Sequence, residues 1–216
     1  WIGEIPQEWE VGKLKHHFTN GKGLPITKEN LILEGLPVIS YGQIHSKSNT
    51  GVDINSQLLR YVDFIYATEY PQCEVFQNDF VFADTSEDYE GCGNCVYKRD
   101  TSKLFAGYHA IILHSIQSSD KRYFAYLFQS DCWRKQLRET VYGVKVFSIT
   151  QKMLLNATLL LPTEGEQKEI SDYLDSKCKI IDSIISNKEA QIEPLESYKK
   201  SVIYEYVTGK KEVHND

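Results

Sequence analysis

The 216-residue chain lacks the short motifs that mark common catalytic and nucleotide-binding sites. It has no GxGxxG turn, no P-loop and no HExxH helix, so neither nucleotide binding nor metalloprotease chemistry has support. His16, His17, His45 and Ser46 form no Ser/His/Asp order. No apolar run approaches the roughly 18–20 residues that a membrane-spanning helix needs. These absences favour recognition over catalysis.

Cysteine is scarce and irregularly placed. The five residues, Cys73, Cys92, Cys95, Cys132 and Cys178, are odd in number, which argues against a secreted disulfide scaffold and predicts a reducing, cytoplasmic setting. Cys92 and Cys95 form a CxxC, but no second pair lies at zinc-site spacing, although a histidine such as His109 or His114 could complete a site. We expect neither a metal nor a cofactor in this chain.

An excess of basic charge is also missing. The net charge is −6, with 16 basic and 18 acidic side chains in residues 1–163 and 8 basic and 12 acidic side chains in residues 164–216. A protein that coats nucleic acid without specificity should be basic, so this balance argues against that class. It leaves room for a localised basic groove, because phosphate contacts act over a screening length of roughly 8 Å.

Short strands dominate the first 115 residues, as apolar runs separated by turn residues. The runs are 36–40, 79–84, 94–98 and 109–114, and alternation in the second places Phe80 and Phe82 on one face. The polar loops between the runs contain glycine, and binding specificity usually lies in such loops. The predicted fold class is α+β, with a β-rich globular body and a few helices.

One helix is predicted after Ser118 and Ser119, which can cap it, and it ends by Gly143. The segment 154–161 is predicted to be the last strand, ended by Pro162. The apolar stripe of the helix is Phe124, Leu127, Phe128 and Leu137.

A long charged helix with an apolar stripe follows. Thr163-x-x-Glu166 is a capping box at its start, and Gly209 suits its C′ position. About 45 residues at 1.5 Å each make a rod of roughly 65 Å, which one domain cannot cover, so we predict a coiled coil with a partner helix. Pro194 is expected to bend this helix or to divide it in two. The predicted dimerisation residues are Ile170, Leu174, Ile181, Ile184, Ile185, Leu195, Tyr198 and Val202.

Two loops contain side chains that suit contact with bases or phosphates. Tyr41, Gln43, His45 and Lys47 alternate after a strand; glutamine can read adenine, and lysine can bind phosphate or read guanine. Residues 84–91 form a dense acidic loop whose carboxylates could accept from cytosine N4, and the loop lacks calcium-loop spacing. Ordinary solvated loops show both patterns, so residue types alone leave the function open.

Four segments in chain order resemble one known family. Trp1-Ile2-Gly3-Glu4-Ile5-Pro6-x-x-Trp9 resembles the opening of a target recognition domain in specificity subunits of Type I restriction-modification systems. Residues 79–84 resemble that family's strand before a variable loop, and residues 143–149 resemble the segment before its last strand. Residues 161–174 and 207–210 resemble its spacer helix.

The resemblance implies a non-catalytic subunit that reads a bipartite target in double-stranded DNA. In that family two recognition domains are held apart by paired spacer helices. Methyltransferase subunits dock on the specificity subunit, bind S-adenosylmethionine and methylate adenine, and restriction subunits join them for cleavage. The same resemblance predicts domains at 1–162 for recognition and 163–209 for the spacer and dimerisation helix, with 210–216 as a tail.

One recognition domain and one helix make half of such a subunit. Because the chain opens at Trp1 without a methionine, we expect either a fragment of a two-domain subunit or a half-subunit that forms a homodimer through the helix. The runner-up interpretation is a β-rich protein-interaction module with a coiled-coil tail and no nucleic-acid role. The predicted DNA-binding residues are Lys22, Tyr41, Gln43, His45, Lys47, Ser86, Asp88, Tyr89, Tyr142 and Lys145.

Overall fold

The computed structural model describes residues 3–117, 119–141 and 146–213. The strands are β1 (Glu10–Lys13), β2 (Phe18–Lys22), β3 (Leu36–Ile39), β4 (Arg60–Val62), β5 (Phe80–Ala83), β6 (Thr85–Ser86), β7 (Cys95–Tyr97), β8 (Phe105–Ala106), β9 (Ala110–Ser115), β10 (Phe147–Ser148) and β11 (Thr158–Leu161). The helices are α1 (Tyr41–Ile44), α2 (Ile65–Glu69), α3 (Arg122–Gln129), α4 (Asp131–Arg138), α5 (Gln151–Leu155) and α6 (Glu164–Val207), with short 3-10 turns at Leu14–His16, Lys28–Asn30, Ser56–Leu58 and Pro71–Cys73. Two compact units result, Trp1–Ser171, here called the body, and Asp172–Asp216.

An antiparallel sheet in the order β2-β9-β5-β7 forms the centre of the body. β5, β7 and the first four residues of β9 are apolar and buried, because both faces of the sheet are covered there, whereas the edge strand β2 is largely polar. Phe80 and Phe82 lie together in the larger hydrophobic cluster on one face, as the alternation predicted. Val81 and Ala83 lie in a second cluster on the other face.

Two short helices cover the face that holds the aromatic cluster. The ring of Phe128 from α3 lies 4.9 Å from that of Phe80 and 4.4 Å from that of Trp133 in α4 (centroid distances). Trp133 is fully buried, and its indole Nε1 donates to the Thr158 carbonyl at 3.0 Å. This indole therefore fastens α4 to β11 as well as filling the core.

The single helix predicted between residues 118 and 143 is in fact two helices. Ser130 separates them, and its hydroxyl accepts from the Trp133 amide at 3.4 Å to cap α4. The predicted serine cap of α3 is wrong, because α3 begins at Arg122, whose amide donates to Asp120 Oδ1 at 2.9 Å. Ser118 and Gly143 lie outside the described residues.

A three-stranded sheet in the order β4-β3-β8 forms a second layer, with β3 antiparallel to β4 and parallel to β8. A third apolar cluster lies with it, built from Leu36, Val38, Val62 and Phe105 among others. The predicted strand at 36–40 is therefore confirmed as β3.

β1 and β11 pair antiparallel and bring the two ends of the body's chain together, from Glu10 opposite Leu161 to Lys13 opposite Thr158. The strand predicted over 154–161 is shorter than expected. Its first part belongs to α5, where the Thr150 hydroxyl accepts from the Met153 amide at 3.2 Å.

Helix α6 begins as the capping box predicted. The Thr163 amide donates to Glu166 Oε2 at 3.1 Å, and the Glu166 amide donates to the Thr163 hydroxyl at 3.3 Å. These hydrogen bonds from Thr163 hold the pKa of Glu166 below its usual value. Ile170 packs against the core of the body, so its apolar side chain already has a partner within this chain.

The helix continues through Pro194 to Val207, so the predicted division at proline does not occur. It ends as expected at Gly209, whose φ of +71° lets the Lys210 amide reach the Glu205 carbonyl at 2.8 Å. Within the described residues, even this 44-residue helix is too polar to cross a membrane. The domain boundary at 162/163 stays a prediction.

Candidate nucleic-acid interface

One end of the central sheet gathers the polar loops. β2 and β5 end there and β7 and β9 begin there, because Lys22 lies opposite Ile111, Ala83 opposite Ala110 and Phe82 opposite Cys95. Residues next to these strand ends therefore lie close together although they are far apart in sequence. We call this region the loop edge and define it by the residues at or next to these strand ends, Lys22, Asp84, Asn94 and His109.

A cleft of about 500 Å³ opens on the loop edge. Lys22 and Lys152 line it from different elements, together with Asp84, His109 and Gln151. Gln151 fastens α5 to β2 through a 3.1 Å hydrogen bond from its Nε2 to the Gly21 carbonyl. Sequence reasoning missed Lys152, because only the folded position of α5 brings it near Lys22.

The predicted series from Tyr41 to Lys47 does not alternate along a strand. Residues 41–44 form α1, in which Gln43 Oε1 accepts from the Ser40 amide at 3.2 Å. The Oε1 atom of Gln43 therefore caps the start of α1. Within the described residues, its Nε2 donates no hydrogen bond. Lys47 is exposed, and Tyr41 is half-buried with its ring 5.6 Å from that of Tyr108.

His45, one of the predicted DNA-binding residues, is held by contacts at both ring nitrogens. Its Nε2 lies 2.8 Å from the Thr85 carbonyl, and its Nδ1 lies 3.0 Å from Asn94 Nδ2. Arg134 donates to Asn94 Oδ1 at 2.6 Å, which leaves the amide of Asn94 as the donor to His45. In this arrangement Nδ1 accepts from Asn94 and Nε2 donates to the Thr85 carbonyl, so both ring nitrogens are used inside the fold.

Arg134 organises this region from beneath. Its Nε donates to the Phe128 carbonyl at 2.9 Å, and its other nitrogens reach Asn94 and Gln129. Burial lowers the pKa of this guanidinium, yet arginine stays charged at any physiological pH. The charge is thus used to fix the loop, because a buried guanidinium must keep its acceptors.

The acidic loop is ordered by its own turn. Ser86 is only 4% exposed, and its hydroxyl accepts from the Asp88 amide at 3.4 Å. Asp88 in turn accepts from the Gly91 amide, and a Cβ on Gly91 would lie 2.5 Å from the Ser86 hydroxyl. Ser86 is therefore held inside the loop, whereas Asp88 is at an exposed position.

Tyr89 stands out from this loop, with 44% of its surface exposed. Its ring lies 5.7 Å from Phe147 of β10, which pairs with β6. The Arg138 guanidinium lies 6.0 Å from the Tyr89 ring centre and forms ion pairs with Glu90 and Asp131. Tyr142 and Lys145, the two remaining candidates, lie outside the described residues.

The CxxC thiols are buried beside this loop. Burial raises the pKa of Cys92, and it raises the pKa of Cys95 to about 12. Gln129 Nε2 lies 3.5 Å from the Cys95 sulfur. Both cysteines accordingly act as small core residues, because the reactive thiolate is disfavoured.

The amino-acid sequence matches the model of one protein family over most of its length. The model of the Type I restriction modification DNA specificity domain matches residues 6–194, so the chain belongs to that family.

Two relatives come from Methanocaldococcus jannaschii. The chain is 27% identical over 217 residues to the Type I restriction enzyme MjaVIII specificity subunit, covering 99% of this chain and 49% of the relative. It is 24% identical over 209 residues to the putative MjaX specificity subunit, covering 96% and 47%. The chain thus spans about half the length of these relatives.

Solved structures of similar fold include a subunit of a type I R-M system studied for its complex assembly and conformational transition, with a TM-score of 0.65 and 17% identity. The HsdS subunit from Thermoanaerobacter tengcongensis gives a TM-score of 0.58 and 19% identity. Each match covers 94% of this chain and 46% of the other. At these identities the likeness establishes the fold.

Proposed function

We propose that this chain is the DNA-reading half of a Type I restriction-modification specificity subunit. The observation that supports it is the loop edge, where Lys22 and Lys152 line one cleft together with His109 and Gln151 in a chain that belongs to this family. The chain selects the DNA sequence and has no catalytic step of its own. Methyltransferase subunits that bind S-adenosylmethionine, and restriction subunits, supply the chemistry in the cytoplasm.

Phosphate and base contacts divide by residue type. Lys22, Lys47 and Lys152 suit phosphate, because ammonium groups bind the backbone whatever the sequence. Gln43 and Asp88 suit base edges through amide and carboxylate groups. Tyr41 and Tyr89 offer aromatic surface beside them.

Two of the predicted contacts change their role in this proposal. His45 and Ser86 position the loops from inside the fold, for the reasons given above. Tyr142 and Lys145 keep the role that the sequence predicted for them. The list of direct contacts therefore gains Lys152 and gives up His45 and Ser86.

Two copies of the rod are proposed to pair. Five apolar or aromatic side chains of α6 are about half exposed or more: Ile181, Ile184, Ile185, Leu195 and Tyr198. A stripe of such side chains along a helix is normally buried against another element. Ile170 already packs on the body, so the interface begins beyond it. If the chain is instead part of a two-domain subunit, the second helix of that subunit takes the partner's place.

The charge along α6 favours an antiparallel pair. Residues 164–186 include six acidic and three basic side chains, whereas residues 198–211 include one acidic and four basic. Antiparallel pairing places the acidic half of one helix beside the basic end of the other, and parallel pairing places like charges together. Two reading heads then lie at opposite ends of a spacer of about 66 Å, at 1.5 Å per residue.

The alternative, a protein-interaction module without nucleic acid, has less support, since family membership and the cationic cleft both favour DNA. A direct test is methylome sequencing of cells that express the methyltransferase partner with and without this chain. A bipartite adenine-methylated motif that depends on the chain is the expected result. Unchanged methylation would contradict the proposal, and an asymmetric motif would indicate half of a two-domain subunit.

A further inference from the structure

His109 has a backbone conformation that its surroundings impose. Its φ is +53°, in the left-handed region that few residues other than glycine enter, with asparagine, aspartate and histidine the commonest of those that do. The residue immediately precedes β9, and its carbonyl accepts from the Asp84 amide at 3.1 Å. Strain of this kind persists where the neighbouring structure determines the residue's placement, and it is frequent at functional sites.

The ring of His109 is oriented on one side and free on the other. Its Nδ1 lies 3.1 Å from Asp84 Oδ1, and the rings of Tyr41 and Tyr108 lie 5.4 Å and 6.1 Å away. The side chain is nonetheless 56% exposed. Within the described residues, no hydrogen bond reaches Nε2.

The contact with Asp84 determines which hydrogen bond the free nitrogen can form. A carboxylate only accepts, so Nδ1 carries the proton and the neutral ring presents Nε2 as an acceptor. In the major groove of DNA the partners for an acceptor are the exocyclic amines of adenine and cytosine. Lys22 and Lys152 line the same cleft and are suited to bind the flanking phosphates.

We propose that His109 is a base-reading residue whose Nε2 accepts a hydrogen bond from adenine N6 or cytosine N4, with Asp84 as the residue that positions its ring. This inference rests on the proposed function, and it gives a reading role to a residue of the loop edge that residue types alone suggested only as a possible metal ligand. The strained backbone is then the means by which the loop brings an oriented imidazole to the surface.

The variant that tests it is His109→Gly. Glycine adopts a φ of +53° without strain, so the fold should be as stable as the wild type or more so, while the reading group is lost. Asn78→Gly is the matched control, because Asn78 is the other described non-glycine residue with positive φ, at +71°, and it precedes the opposite end of β5. Its side chain accepts from the Tyr97 hydroxyl at 2.7 Å, so the stability of that variant is measured separately.

Each variant chain, in complex with the methyltransferase, is used to select bound sequences from a randomised duplex library. The wild type is expected to require adenine or cytosine at one position where His109→Gly accepts other bases, with discrimination there falling about tenfold. Asn78→Gly should select the wild-type motif. Asp84→Ala should relax the same position, and Asp84→Asn, which keeps an acceptor for Nδ1, should restore most of it.

Three outcomes overturn the inference. An unchanged motif for His109→Gly means that the residue only shapes the turn. A uniform loss of affinity with a weaker salt dependence and no relaxed position means a phosphate contact. A wild-type complex that selects no motif overturns the proposed function itself. That outcome is seen with the wild type alone, so it differs from a failure of the inference about His109, which appears only in the variants.

Discussion

Lys98 is a buried lysine whose ammonium group is held by its own turn. It is 2% exposed, and its Nζ donates to the Asp100 carbonyl at 2.9 Å, to the Asp100 carboxylate and to the Ser102 hydroxyl at 3.0 Å. Asp100 itself is largely exposed, so the free energy at stake is that of a desolvated ammonium losing an acceptor rather than that of a surface ion pair.

Asp100→Ala is therefore expected to lower the free energy of unfolding by about 1–3 kcal/mol at pH 7. The double variant Lys98→Met with Asp100→Ala should recover most of the loss, because it removes the buried charge as well. The hydrogen bond from Lys98 lowers the pKa of Asp100 below 3.8, so this stabilisation is full above pH 3.8 and is lost as pH falls further. Urea unfolding at pH 7 and pH 3 measures both effects. A double variant no more stable than the single one would contradict the account.

Gln43 combines a structural role with the proposed reading role, and two substitutions separate them. Gln43→Ala removes the acceptor for the Ser40 amide and should cost roughly 1 kcal/mol of stability, as well as changing the selected motif. Gln43→Glu keeps an oxygen acceptor at the helix start but loses the amide donor, so stability should change by under about 0.5 kcal/mol while the motif still changes. Duplex selection beside chemical unfolding decides the matter. If Gln43→Glu selects the wild-type motif, Gln43 caps the helix and does not read a base.

At the scale of elements, local patterns were sufficient where burial is periodic. Apolar runs predicted β3, β5, β7 and β9, and end signals predicted the capping box and Gly209 at the two ends of α6. α1 was missed although Ser40-x-x-Gln43 has the capping-box pattern, because alternation at Tyr41 and Gln43 suggested an extended chain. The break between α3 and α4 also had a signal, Ser130 followed by Asp131.

The loop edge could not be predicted in the same way. Lys22 and Lys152 line one cleft only because β2 pairs with β9 and α5 is bonded to β2, and pairings over such sequence distances leave no local trace. The inward use of His45 depends on Asn94 and Arg134, which are distant in sequence. The sequence thus indicated which loops are polar, and the tertiary structure shows which side chains in them are held by hydrogen bonds inside the fold.

Pro194 lies inside α6 without dividing it, although proline lacks the amide that an interior helix residue donates. Pro194→Ala should restore one backbone hydrogen bond and stabilise this part of the helix by up to about 3 kcal/mol. Thermal melting followed by circular dichroism at 222 nm should show a higher transition temperature for the helix. Gln191→Ala, three residues earlier on the same exposed helix, is the control and should change little. No gain from Pro194→Ala would contradict an uninterrupted helix at this point.

For the whole molecule, the proposed pairing of α6 would explain how two weakly selective reading heads become specific. One head reads few base pairs, at roughly 1–3 kcal/mol for each good contact. A second head on the same rigid spacer binds at high effective concentration and can raise the overall affinity by about 10²–10⁴-fold without any new contact. The proposed pairing of α6 is therefore the feature on which selectivity for a bipartite site depends.

Replacing Ile181 and Ile185 by Glu should separate the pair, because it puts charge into the proposed apolar seam. In sedimentation equilibrium the wild-type chain should have twice the 24.9 kDa mass of one copy, and the variant should have that of one. Ser183→Glu with Ser186→Glu adds the same charge near the opposite side of the helix, at about 100° per residue, and should leave the dimer intact. The dissociated variant should bind a single half-site as the wild type does, but lose about 10²-fold or more on the full bipartite duplex. Equal loss of affinity on both duplexes would mean that the helix affects the reading head itself. A wild-type chain that is already monomeric would contradict the homodimer, and the partner helix would then be the second helix of a two-domain subunit.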